Sequence, residues 1–241
     1  VGAEAGRIAD QPARLALYRA MMRRALQIRI RLIGAMLTLL CMPPLGRAFA
    51  GPGSAEKQAD WPVYGGQSAG DHYSSLRQIN RRNVSRLKQA WLFDTGEQGG
   101  LQTNPLIVGR TLFGFTPTQK VIALDAASGK KLWQFDAGTP GLQPTRGLSY
   151  WTDGSHAVLF AGLLSDLYAL DPANGQPIRA FGDGGKIDLR RDLSEGDTSQ
   201  AFAALTSPGV IYKDMIIVGF RAPETKPALP GDIRAYDVHT G

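Results

Sequence analysis

From residue 60 onward the apolar positions fall into short runs broken by Gly, Pro, Asn and Asp, and no amphipathic stretch of ordinary helix length appears. Only 80–87 suggests a short helical turn. Such runs predict strands joined by tight turns. The first strand is expected across 86–94, around Trp91 and Phe93. A hairpin follows from 104–108 and 111–115, turned at Gly109-Arg110, and strands at 120–125 and 131–136 complete one sheet. A second set is expected at Tyr150-Trp151, 157–161, 166–171 and 178–181. A third opens with 209–212 and 215–219 around Lys213-Asp214, and 188–199 reads as a long polar loop.

One pattern recurs. Val121-Ile122-Ala123-Leu124-Asp125 leads into Ala126-Ala127-Ser128-Gly129 and then Lys131-Leu132-Trp133-Gln134-Phe135. Leu167-Tyr168-Ala169-Leu170-Asp171 leads into Pro172-Ala173-Asn174-Gly175. Ile233-Arg234-Ala235-Tyr236-Asp237 leads into Val238-His239-Thr240-Gly241. Each copy is read as an alternating apolar strand and an Asp-x-x-x-Gly turn whose Gly supplies a positive φ, followed in the first two by a returning strand. The Asp positions lie 46 and then 66 residues apart. A four-stranded unit repeating at roughly 40–50 residues marks a blade of an all-β propeller. Trp91 and Trp133, 42 residues apart, are expected to dock neighbouring blades. The chain holds two to three such units and reads as a piece of a longer protein.

Charge changes this picture only at the N-terminus. The formal net charge is +6, but eight of the 27 basic and two of the 21 acidic residues lie in 1–50, so nineteen of each remain beyond it. A neutral folded region excludes a basic nucleic-acid face. Met21-Met22-Arg23-Arg24, Arg29 and Arg31 precede the uncharged run 32–42, then Pro43-Pro44 and Ala48-Phe49-Ala50. This is the order of an export signal, with cleavage expected after Ala50. The apolar run falls short of the about 20 residues of a membrane span, although an uncleaved anchor is the competing reading. The expected organisation is upstream sequence at 1–20, signal peptide at 21–50, linker at 51–59 and propeller at 60–241. Cys41, the single cysteine, lies in the leader, so the region beyond it has no disulfide, thiolate metal site or thiol nucleophile. His72, His156 and His239 are too widely spaced to suggest a metal cluster.

Several ordered motifs carry a resemblance. They are Asp60-Trp61-Pro62-Val63-Tyr64-Gly65, Tyr73-Ser74-Ser75-Leu76, 79–87, Arg146-Gly147-Leu148-Ser149-Tyr150-Trp151, Phe181-Gly182-Asp183-Gly184-Gly185, Thr206-Ser207-Pro208 and 231–237. Over 60–241 the chain resembles the bacterial quinoprotein dehydrogenases that use pyrroloquinoline quinone (PQQ), with the glucose dehydrogenase-like branch nearest. The resemblance implies an eight-bladed propeller carrying PQQ and Ca²⁺ near its axis, of which 60–241 supplies the first blades. It implies an exported, periplasmic enzyme oxidising a sugar or alcohol hydroxyl. Electrons would pass to ubiquinone or cytochrome c, with membrane association at most peripheral. The alternative is a non-catalytic propeller scaffold of the cell envelope.

By the same resemblance Gln102, Arg146 and Thr206 contact the cofactor and Glu224 contributes to the metal. The chemistry is apt. PQQ is a planar tricarboxylate, and a guanidinium pairs with carboxylates through a planar fork. Gln102 stands where many family members have Glu, and brings no charge. Calcium takes hard oxygen ligands such as a Glu carboxylate. Plainer readings stay open: Arg146 paired with a local Asp, Gln102 on a surface strand, Thr206 as a turn residue, Glu224 as a solvated loop residue. The catalytic base is expected beyond residue 241.

Overall fold

In a computed structural model the described residues are 60–138, 144–193, 198–226 and 228–241. The expected leader and linker, 1–59, lie outside them. The described part forms three antiparallel sheets and one 3-10 turn, Val84–Arg86. The first sheet runs β1 (Leu106–Val108), β2 (Thr111–Phe115), β3 (Val121–Asp125) and β4 (Lys131–Phe135), each strand paired with the next. The second repeats this order with β5 (Ser149–Thr152), β6 (Ala157–Leu163), β7 (Asp166–Leu170) and β8 (Lys186–Asp188). The third has β9 (Val210–Tyr212), β10 (Met215–Val218) and β11 (Arg234–Asp237). Sequential up-and-down sheets of this kind are propeller blades.

The Asp-x-x-x-Gly turns form by one mechanism. Asp125 Oδ1 accepts from the Ser128 amide at 2.8 Å and its hydroxyl at 2.7 Å, while the Asp125 carbonyl accepts from the Gly129 amide at 2.8 Å. Asp171 and Asp237 repeat the backbone bond to Gly175 and Gly241. The three glycines sit at φ +71°, +74° and +90°, the left-handed region.

Burial corrects the expected alternation. Val121 to Leu124 are buried in succession, as are Leu167 to Leu170. The reason is that these two strands, β3 and β7, are covered on both faces, which removes the polar face that alternation requires. Leu159, Ala161 and Leu163 of β6 join Phe113, Val121 and Ala123 of the first blade in one core. Val158 and Phe160 join Ile216 and Val218 of the third blade in another. Alternation survives in the edge strands, where β4 from Leu132 reads exposed, half-buried, exposed, half-buried and β11 reads half-buried, exposed, half-buried, exposed.

Two expected strands are absent. Residues 87–94 form no strand; Trp91 instead donates its indole N–H to the Ala126 carbonyl at 3.0 Å. Residues 178–181 are mostly turn, and the fourth strand of the second blade comes later, at β8. Pro177 begins pairing opposite Leu170 but has no N–H to continue a ladder. The chain then turns through Gly182, Gly184 and Gly185, all at positive φ, before pairing resumes. Phe181 is fully buried within this turn against Phe160.

Candidate functional site

Three segments entering the inner strands lie side by side, one per blade. The Asn104 amide donates to the Arg146 carbonyl at 2.9 Å, and the Arg146 amide donates to the Thr206 carbonyl at 3.0 Å. Asn104 and Gly147 form a parallel bridge. This relay joins the blades through backbone groups, which must be paired wherever they are withdrawn from water. Gly147 fits because a Cβ there would stand 3.3 Å from the Asn104 carbonyl oxygen, tighter than the neighbouring backbone readily allows.

Two of the four expected site residues meet directly here. Arg146 is exposed, and its Nη1 reaches the Thr206 carbonyl at 3.5 Å. Among the described residues it joins no ion pair, so the guanidinium keeps donors for an anion. The local-Asp alternative therefore finds no partner among them. Thr206 is half-buried beside it.

Gln102 lies two residues before Asn104 and is exposed. It lines a small polar cavity of about 30 Å³ with Thr103, Thr116, Pro144 and Thr145. Gln102 thus stands next to the residue that precedes Arg146, one step along the relay. Glu224 is exposed and touches none of these. It follows Arg221, which bridges Ala204 in antiparallel sense, so residues 206 and 224 leave that bridge in opposite directions.

Sequence reasoning missed a clamp under the Gln102 segment. Glu97 Oε2 accepts from the Thr118 amide at 3.0 Å and the Thr118 hydroxyl at 2.7 Å; Oε1 pairs with Lys120 Nζ at 3.1 Å. Burial pushes the Glu97 carboxyl up, but hydrogen bonds from Thr116, Thr118 and Lys120 outweigh it and bring it down to about 2. Lys120 also approaches Asp136 at 3.6 Å. A glutamate in a Gly-rich loop reads as solvated, so only its acceptance by the β2–β3 turn reveals the clamp. On the other side of the Arg146–Gly147 bend lies an apolar cavity of about 260 Å³, lined by Tyr64, Leu148, Tyr150 and Val210 among others. Burial raises the Tyr150 hydroxyl above its usual range.

The side chains of Gln102, Arg146 and Thr206 are chemically suited to a carboxylated, hydrogen-bonding ligand: an exposed guanidinium outside any ion pair among the described residues, an exposed amide and a half-buried hydroxyl. A divalent cation does not fit the described residues alone, because they hold no group of three or more carboxylate, imidazole or thiol ligands.

The sequence profile described as "PQQ: Glucose/ethanol/alcohol dehydrogenase, beta-propeller domain" matches residues 61–241. The chain is 34% identical over 221 residues to a quinate/shikimate dehydrogenase (quinone) of Acinetobacter baylyi, covering 78% of this chain and 27% of that protein. It is 33% identical over 216 residues to the quinoprotein glucose dehydrogenase of Escherichia coli, covering 76% and 26%. The chain thus spans about a quarter of the length of these relatives. The fold matches that of the quinohemoprotein alcohol dehydrogenase of Comamonas testosteroni with a TM-score of 0.62 at 24% identity, covering 76% of this chain and 26% of that one.

Proposed function

This chain belongs to the PQQ glucose/ethanol/alcohol dehydrogenase β-propeller family, and from that premise we propose that the whole protein is an exported, PQQ-dependent dehydrogenase of sugar or alcohol hydroxyls. The observation that carries this reading is the backbone relay from Asn104 through Arg146 to Thr206, which brings two of the residues expected to meet the cofactor, Arg146 and Thr206, side by side. In this reading Arg146 binds a cofactor carboxylate through its unpaired guanidinium face. Thr206 and Gln102 orient the cofactor edge by hydrogen bonds. Bound PQQ would supply the acceptor for the two electrons released when a hydroxyl is oxidised. None of the described residues is assigned as the base. The substrate class is a polyol, sugar or simple alcohol, and the electrons pass to a membrane quinone or a cytochrome. The quinate and glucose enzymes match to nearly the same extent, so the glucose-like branch rests on the resemblance alone. Calcium, Glu224 and the export signal at 21–50 are carried likewise.

The test is PQQ titration of the full-length apoprotein. Arg146→Ala should weaken binding roughly ten- to hundredfold, since charge-assisted hydrogen bonds are worth about 1.5–3 kcal/mol. Arg146→Lys should recover only part, because an ammonium lacks the planar fork. An Arg146→Ala protein that loses fold stability but keeps its PQQ affinity would make Arg146 a blade residue. A wild-type protein that takes up no PQQ would favour the envelope scaffold.

A further inference from the structure

Between Glu97 and Gln102 the chain runs Gln98-Gly99-Gly100-Leu101. Two adjacent glycines make this stretch costly to order and free to wander unless both ends are tied. Both ends are tied to the end of β2 and the turn that follows it. At the far end the Thr103 hydroxyl accepts from the Phe115 amide at 3.4 Å, at the long limit for such a bond. At the near end the Glu97 carboxylate takes two bonds from Thr118 and the Lys120 ammonium. Its side chain is only 11% exposed. Gly99, at φ +124°, lies so close to the turn that a Cβ would stand 3.1 Å from Pro117 Cβ. Gln102 itself makes no hydrogen bond among the described residues, so its direction follows from the path of the segment carrying it.

We infer that Glu97 is a positioning residue: its carboxylate, latched to Thr118 and Lys120, fixes the 98–104 segment so that Gln102 faces the cofactor edge beside Arg146. The inference rests on the proposed function for the identity of the ligand, and on the geometry alone for the latch. Lys120 is not itself a cofactor contact. It holds the second carboxylate oxygen, and its approach to Asp136 ties the latch to the end of β4.

The test uses the full-length protein with Glu97→Ala, Glu97→Gln, Gln102→Ala and the Glu97→Ala/Gln102→Ala pair. Asp153→Ala is the control; it removes an ion pair to His156 of 3.1 Å in the β5–β6 turn, at the end of β5 opposite Arg146. Two quantities are measured: amide hydrogen exchange of peptides spanning 98–104 in the apoprotein, and PQQ affinity by titration. Glu97→Ala should speed exchange in that segment and weaken PQQ about tenfold, the scale of one lost charge-assisted contact. Glu97→Gln should recover part of both, because an amide oxygen still accepts from Thr118 but does not pair with Lys120. If Glu97→Ala does not fold, Glu97→Gln carries the test. In the Gln102→Ala background, Glu97→Ala should cost no further affinity, since a residue acting through another gives non-additive effects. The Asp153→Ala control should leave both readouts unchanged. Unchanged exchange in the Glu97 variants overturns the latch, and additive losses from Glu97→Ala and Gln102→Ala overturn its action through Gln102. A wild-type protein that binds no PQQ sinks the functional reading instead, and the exchange measurement then decides the latch by itself.

Discussion

Single residues show where the fold tolerates no alternative. Gly175 is held at φ +74°, and a Cβ there would lie 2.5 Å from the Trp133 ring. Gly175→Ala combines a left-handed backbone cost with a clash, so it should lose about 2–4 kcal/mol in urea unfolding. Gly154 has φ +92° but open space around it. Gly154→Ala should cost only about 1 kcal/mol, the backbone part alone. Glu97 makes a pH-dependent contribution. Its carboxyl is lowered from 4.5 to about 2 in the folded protein. A lowered acid stabilises the fold fully above its unfolded value, and that stability is lost as pH falls from about 4.5 toward 2. Urea midpoints of wild type and Glu97→Gln should therefore differ at pH 6 and draw together only as pH falls toward about 2, as linkage requires. Equal midpoints at every pH would show the latch to be energetically silent.

At the level of strands and turns, the joints between blades follow one rule with one exception. Trp91 lies over Gly129, and Trp133 lies over Gly175 with its indole N–H donated to the Pro172 carbonyl at 3.0 Å. Trp133→Phe keeps the ring but loses that bond, so about 1 kcal/mol should go. At the third turn, Ile187 of β8 stands over Gly241 where the others have Trp. A cavity of about 440 Å³ opens beside it, lined by Tyr236, Arg234 and Lys186 among others. The Tyr236 hydroxyl is buried there without a hydrogen-bond partner among the described residues. Ile187→Trp should raise the thermal midpoint if its ring can enter that space; a lower midpoint would show that the joint is already full. The docking role of Trp91 and Trp133 was legible from their spacing, as were the hairpins around Gly109, Gly129 and Lys213. The later β8 was not, because an apolar Ile178 to Phe181 run looks like a strand until Pro177 and the positive-φ glycines are placed. The strand expected around Trp91 failed for a related reason: its aromatic residues serve a joint between blades, which alternation along one segment does not encode.

For the molecule as a whole, the order of blades was legible from a single repeated turn, while the site was legible only in part. Arg146 and Thr206 were recognisable from motifs, yet nothing local in either motif says that one amide bonds the other's carbonyl. Glu224 stands exposed and forms no hydrogen bond or ion pair with either among the described residues. The second blade is covered on both sides, but the third exposes Val210, Tyr212 and Ile233, at 65%, 55% and 79% of their full accessibility. Exposed apolar residues on an open sheet invite self-association. The 241-residue chain alone should therefore associate in a concentration-dependent way in sedimentation, and Ile233→Lys should reduce it. It should also fail to oxidise glucose or ethanol with PQQ and calcium supplied. Turnover in a dye-linked assay would show that the described blades hold a complete site.

The relay from Asn104 to Thr206 has a consequence for how the protein matures. Arg146 is held by its amide to one neighbouring blade and by its carbonyl to the other, so its place in space is decided only after both have docked. A chain whose neighbouring blades have not yet docked carries the arginine, but not its address. Under the proposed function, capture of an anionic cofactor then becomes a late event, gated by assembly and not by encounter. On that reading the backbone itself acts as the proofreader that keeps a half-built protein from being loaded.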